Sequence, residues 1–421
     1  MEQPDLNPRL DHPRLDRSFV VKIALAVLLF TAILGLALNR QFYDETMVSA
    51  YLSLALVSAL IVLVVLRRSW FDLLWVVSGG LLLAALDYRL LHFPPRIMAG
   101  FSFAGLAAFA VLGIHTIWAE ANDRKLLLYG FLPAVLFVAS EWTASTLLDI
   151  TERLHPKTFD LFLYSFDSSL RVQISFLVGQ LFWKVPWIRT VCLIIFIALP
   201  LPLALVYAAQ LRRKRENALA VMLAFLVAGP LGVLFYNLLP ACGPVHLFGS
   251  EFPFHPFSTA VAMHMRVVPV LMPGARNAIP SLHMAWVLLV WWNSRGLPRW
   301  IRAVALIFLS LTVLATLGTG EHYFIDLVVA FPFSLMVQAL CSYQLPFQSA
   351  ERRAAFLFGI FTTLLWFSLL SFTTSFFWSS PLVPWGMIVA TIGPSVFLWH
   401  RLAGALEQEL PVRPRAAAAT A

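Results

Sequence analysis

Residues 300–341 read WIRAVALIFLSLTVLATLGTGEHYFIDLVVAFPFSLMVQALC, two apolar runs at about 300–317 and 322–341 parted by the short polar passage Gly318-Thr319-Gly320-Glu321. Each run approaches the roughly 20 residues with which a helix crosses about 30 Å of hydrocarbon. Neither alternates polar with apolar side chains, so both are read as helices, the form that satisfies its own backbone inside a bilayer.

Similar runs recur on both sides, at about 18–38, 46–66, 71–91, 99–119, 126–148, 188–210, 217–240, 281–294, 354–377 and 381–400, for roughly twelve spans in all. The chain of 421 residues is 60% hydrophobic and 12% charged, with a mean hydropathy of +0.80. A water-soluble domain carries roughly 25% charged residues. The fold class is therefore an all-α polytopic membrane protein. The formal charge of +8 does not call for nucleic acid. Its basic clusters, such as Arg67-Arg68, Arg124-Lys125, Arg212-Arg213-Lys214-Arg215 and Arg352-Arg353, fall in alternate loops and place both termini in the cytoplasm. The weakly bacterial character of the sequence (no glycosylation sequon) then puts the opposite face in the periplasm of an inner membrane. Cys192, Cys242 and Cys341 form no CxxC pair. His246, His255 and His264 have no acidic or thiol partner at metal-ligand spacing, so no metal and no cofactor is expected.

Two long outer segments stand out, about 149–187 and 241–280. The first contains Phe159 to Phe166 and Val172 to Val178, whose aromatic and charged mixture reads as helices lying in the membrane interface or as a lid over the bundle. The second is rich in Pro, Gly and His and leads into Ala275-Arg276-Asn277-Ala278-Ile279-Pro280-Ser281-Leu282-His283. Segments of that length in a compact protein are usually functional.

His322 and Asp326 are four residues apart, one helical turn, on one face. A carboxylate holding one ring nitrogen leaves the other as a nucleophile and stabilises the cation formed on attack. Ser281 after Pro280 suits a helix start, where free N–H groups favour an anion, and His283 is placed to protonate a departing oxygen. By the span count His283 and His322 begin spans on the same, outer side. Arg276 is the first candidate for a phosphate contact. Tyr236, Asn237, Gly243 and Glu321 are further candidates for holding substrate, Glu321 by orienting an incoming hydroxyl.

These motifs resemble the second and third signatures of the type 2 phosphatidic acid phosphatase superfamily, Pro280-Ser281-Leu282-His283 matching Pro-Ser-Gly-His and His322 to Asp326 matching His-x-x-x-Asp. The resemblance implies a six-helix core over 126–341, with His322 forming a phosphohistidine, Asp326 orienting it and His283 as acid. The remainder divides into a four-helix extension, 1–125, and a two-helix extension with a disordered tail, 342–421. The family's Lys-x6-Arg-Pro signature is absent, Thr316 stands where its arginine precedes the histidine, and Leu282 replaces glycine. His322-Tyr323-x-x-Asp326 and Pro240-Ala241-Cys242-Gly243-Pro244 are closer to the branch similar to inositol phosphorylceramide synthases and sphingomyelin synthases. That branch implies a sphingolipid, polyprenyl or phospholipid phosphoester as donor, with an alcohol as acceptor and inositol phosphate transfer as one form of the reaction. Water as acceptor, a lipid phosphate phosphatase, is the alternative. A lipid transporter or scramblase with a vestigial catalytic core is the rival from another class.

Overall fold

The computed structural model describes residues 17–408 apart from 42–43, 45–49, 68 and 93–95. The tail expected to be disordered lies outside the described residues. The first part of the chain forms helices α1 (Arg17–Ala37), α2 (Ala50–Arg67), α3 (Trp70–Leu91), α4 (Ile97–Trp118), α5 (Ala121–Gly130) and α6 (Leu132–Leu154). A strand, β1 (Lys157–Thr158), leads to α7 (Asp160–Ser169), α8 (Ile174–Lys184), α9 (Pro186–Ile197), α10 (Pro200–Arg213) and α11 (Arg215–Leu238). The second long segment holds α12 (Pro244–Phe248), α13 (Thr259–His264) and β2 (Val270–Leu271). The chain closes with α14 (Leu282–Asn293), α15 (Arg299–Gly318), α16 (Phe324–Cys341), α17 (Ala350–Phe372), α18 (Thr374–Phe377) and α19 (Leu382–Gln408).

Among the described residues eight helices are long and apolar enough to cross a membrane, or nine if α8 and α9, bent by 115° at Val185, count as one span. Of the remaining expected spans, the first is α1, whose apolar part, Val21–Ala37, is shorter than those eight, and three differ for local reasons. The run at 126–148 is split at Phe131, with Pro133 in the first turn of α6, because an interior proline lacks the N–H a continuous helix needs. The run at 188–210 is likewise split, with Pro200 opening α10. Helix α14 has only 12 residues.

That short helix is positioned by α16. The two run parallel and in register: the Ser281 N–H donates to Asp326 O at 3.2 Å at one end, and Asn293 Nδ2 donates to Gln338 Oε1 at 2.7 Å at the other. Starting together, they bring His283 and His322 to one end of the bundle. Helix α16 is the most enclosed of the long helices, with 83% of its span buried.

The two long outer segments cap that end together. β1 and β2 pair antiparallel, Lys157 with Leu271 and Thr158 with Val270. Placing Phe159 to Phe166 in the membrane interface is corrected here. Leu163, Tyr164 and Phe166 of α7 are wholly buried, and Phe166 meets Trp366 and Phe377 edge-on at 5.2 and 4.8 Å. The C-terminal extension therefore backs α7, and Trp378 Nε1 donates to Ser165 Oγ at 3.1 Å.

Asp167 on α7 accepts the N–H groups of Phe324 at 2.7 Å and Ile325 at 3.2 Å, two of the unpaired donors that open α16. Asp167→Ala is expected to lower the stability of the detergent-solubilised protein by about 2 kcal/mol, read as a fall in melting temperature. An unchanged melting temperature removes this cap from the account.

Candidate active site

His322 sits in the turn before α16 with only 3% of its surface exposed. Its Nδ1 lies 2.9 Å from the carbonyl oxygen of Ala278, and 3.4 Å from Asp326 Oδ2. A carbonyl only accepts, so Nδ1 carries the proton and donates it. Nε2 is then the unprotonated nitrogen, 3.1 Å from Ser281 Oγ. The serine hydroxyl caps α14 by accepting from the Met284 N–H at 3.3 Å, which leaves its own proton for Nε2. Asp326 is anchored in turn, Oδ2 accepting the Tyr323 N–H at 2.7 Å. Its Oδ1 is buried and has no partner among the described residues.

The backbone that presents His322 is held from α7 and the residues after it. Asp160 and Asp167 are seven residues apart, two turns of one helix, so both carboxylates face the same side. Asp160 accepts the Tyr323 hydroxyl at 3.0 Å, the Gly243 N–H at 2.8 Å and the Cys242 N–H at 3.1 Å. Ser175 Oγ donates to His322 O at 3.0 Å. Burial raises the Asp160 pKa against the opposing pull of these donors. Burial likewise lifts Asp167 to about 8, its Phe324 contact lowering it and the nearby Asp326 charge raising it. None of Asp160, Asp167 and Ser175 stood out in the sequence. The one available signal was the seven-residue spacing of two acids in an aromatic stretch.

Gly243 serves the backbone. It has a φ of +113°, and a Cβ there would lie 2.4 Å from Glu321 O, so the loop at 240–244 can close against the His322 turn only without a side chain. Ala241 O accepts the Ala278 N–H at 3.0 Å, linking this loop to the carbonyl that orients His322.

His283 occupies the first turn of α14, stacked on Phe196 of α9 with ring centroids 3.8 Å apart and the planes 20° apart. Burial lowers its pKa to about 3, and the charge of the His322 ring acts in the same direction. Tyr236 is 2% exposed and lies against the Leu282 backbone, within reach of the Asp326 charge. Leu282, where the resembling family has glycine, fits because α11 has Gly232 opposite. A Cβ on Gly232 would stand 2.6 Å from the leucine methyl.

Of the expected substrate contacts, Arg276 and Asn237 have other partners. Arg276 has five donors, and each is engaged: Nε with His155 O, one terminal nitrogen with Gly274 O and Cys242 Sγ, the other with Pro156 O and Met272 O. It is 1% exposed and staples the two outer segments together, with no donor left for phosphate. Asn237 accepts from His155 Nε2 at 2.9 Å and donates to Val233 O at 2.8 Å, away from His322. Glu321 faces His246 at 3.8 Å and raises its pKa, against the lowering effect of burial. Lys184, Arg189 and Arg266 are exposed. Burial pushes the Cys242 thiol to about 12, which keeps it protonated and inert. Among the described residues no group of three or more His, Cys, Asp or Glu side chains is placed to hold a metal ion.

With the geometry in place, comparison with known proteins adds one finding. Residues 161–340, from α7 to the end of α16, match the family model described as the PAP2 superfamily, whose members are typically lipid phosphatases or phosphotransferases. No curated protein and no solved structure matches the chain.

Arg276→Lys, which keeps the charge but loses the planar fork, is expected to lower the melting temperature and open the 241–280 segment to protease. Lost substrate affinity with unchanged stability and protection would return Arg276 to the phosphate site.

Proposed function

We propose that this chain is a metal-independent membrane phosphotransferase that moves a phosphate or phospho-headgroup of a lipid phosphoester through His322. One observation carries the proposal: Nδ1 of His322 is committed to Ala278 O and Asp326, while Nε2 is unprotonated and faces the serine at the start of α14.

In the first step Nε2 attacks phosphorus and the bond from phosphorus to the leaving oxygen breaks. His283, which takes up a proton once the phosphoryl anion is bound beside it, gives that oxygen its proton. The positive charge on the His322 ring is stabilised through Nδ1–H by the Ala278 carbonyl and the Asp326 carboxylate. Ser281 and the N–H groups at the start of α14 face the phosphoryl oxygens. In the second step an acceptor hydroxyl attacks the phosphohistidine, the P–N bond breaks, and neutral His283 takes the hydroxyl proton. Glu321 and His246, at the rim of the same turn, orient that hydroxyl.

Burial of His322 keeps bulk water from the imidazole, which supports an alcohol acceptor over hydrolysis. Engagement of all five Arg276 donors points the same way. A diester headgroup needs less positive charge around it than a phosphate monoester dianion does. The distribution of basic loops supports a site on the non-cytoplasmic face with both termini cytoplasmic, and the lack of a glycosylation sequon supports a bacterial inner membrane, with that face periplasmic.

The test measures turnover of detergent-dispersed phospholipids, with a long-chain alcohol or water as acceptor. His322→Gln is expected to reduce kcat by about 10⁴-fold or more with its melting temperature intact, and His283→Gln by about 10²- to 10⁴-fold. Product carrying the headgroup on the added alcohol marks a transferase. Full turnover in His322→Gln rules out the mechanism, and lipid flux that survives the substitution supports a transporter.

A further inference from the structure

Far from the catalytic end, a cavity of about 650 Å³ opens between α1, α4 and α5. Its place is fixed by α11, whose Leu238 end meets the catalytic loops and whose Arg215 end lies at the opposite face. There Arg212 Nη1 donates to Val65 O at the end of α2. Gly130, at the end of α5, packs against Val62 and Leu66 of the same α2 end. The volume lies within the roughly 300–1,000 Å³ typical of ligand sites.

The lining is graded along its length. Lys22 of α1, Arg124 of α5 and Thr116 of α4 supply its polar groups, and Leu25, Leu29 and Leu128 supply apolar wall. Leu29 stands seven residues beyond Lys22 on the same face of α1, about 10 Å further along the axis. At that depth the groove narrows: a Cβ on Gly113 would stand 2.2 Å from a Leu29 methyl. Two cations beside a run of leucines on α1 and α5 have the profile of one lipid.

The two cations are free to act. Among the described residues Lys22 has no ion pair or hydrogen-bond partner, and Arg124 has only one, Nη2 to Ala119 O at 2.8 Å. A lysine that merely extends toward water along a lipid-facing helix does not need a second cation from another helix at its side. Here Lys22 and Arg124, on different helices, line the same cavity. Lys22 is half-buried in an apolar helix and Arg124 is exposed on the neighbouring polar one, so both remain available to an anion.

The geometry points to a binding site for an anionic phospholipid of the leaflet opposite the catalytic face. Its phosphate sits between Lys22 and Arg124 and one acyl chain lies along Leu25 and Leu29. This site is separate from the His322 centre and is filled by a lipid that is not turned over there.

The full-length protein, reconstituted in bilayer discs of equal phosphatidylglycerol and phosphatidylcholine with matched chains, is released into the gas phase and its retained lipids weighed by native mass spectrometry. Wild type is expected to retain phosphatidylglycerol selectively. The double variant Lys22→Gln, Arg124→Gln is expected to lose about thirtyfold of that preference, at roughly one unit of charge attraction per cation, with catalytic turnover unchanged. Leu25→Trp, which keeps both charges but crowds the apolar wall, is expected to lower retention as well. Retention indifferent to headgroup, or unaltered in both variants, overturns the site. Displacement of the retained lipid by soluble glycerol phosphate reassigns it to a free anion and overturns the lipid assignment.

Discussion

Two buried carboxylates on a ten-residue helix hold the geometry on which the rest of the site depends. Asp160 ties the Tyr323 hydroxyl to the 242–243 backbone, and Asp167 caps α16 through Phe324 and Ile325. Between these two anchors the chain has little freedom, and His322 projects from the turn they fix. A buried carboxyl group of this kind is tolerated only where several donors converge on it. Both aspartates have such donors, which is why α7 sits inside the protein rather than on the membrane surface.

Around that clamp the packing shows paired adjustments. Leu282 occupies space that Gly232 of α11 leaves open, and α17 lies against the Pro332 turn of α16 because Gly359 has no side chain. A Cβ at Gly359 would come within 2.6 Å of Pro332 O. Helices α17 and α19, without any catalytic residue, back the site through Trp366 and, on the far face, through ion pairs of Arg295 with Glu407 at 3.0 Å and Arg401 with Glu351 at 3.1 Å. The C-terminal extension thus supports the proposed chemistry by bracing α7 and α16, and the chemistry itself stays with α14 and α16.

Much of this was legible in the sequence, for identifiable reasons. Apolar run length marked the long spans because bilayer thickness imposes it, and the four-residue spacing of His322 and Asp326 survives as a 3.4 Å contact. The parallel start of α14 and α16 followed from counting spans. What was missed depends on tertiary contacts without periodicity. Asp160 and Asp167 looked like the polar side of a surface helix, since amphipathic pattern does not say which face is covered. Arg276 looked available because its partners, the carbonyls of residues 155, 156, 272 and 274, come from two distant segments that only the β1–β2 pairing brings together. The orienting acceptor for His322 is a backbone carbonyl, Ala278 O, which side-chain identity cannot reveal.

The most direct measurement concerns which atom takes up phosphorus. Rapid quenching of the protein with a phosphorus-labelled lipid, at alkaline pH where phosphohistidine persists, followed by NMR of ¹⁵N-histidine-labelled protein, identifies the bonded atom. Phosphorus on Nε2 of His322 is the predicted result, since Nδ1 is held by Ala278 and Asp326. Phosphorus on Nδ1 of His322, or a phosphoester on Ser281 with His322 unmodified, contradicts the assignment of nucleophile and the role given to the clamp beneath it.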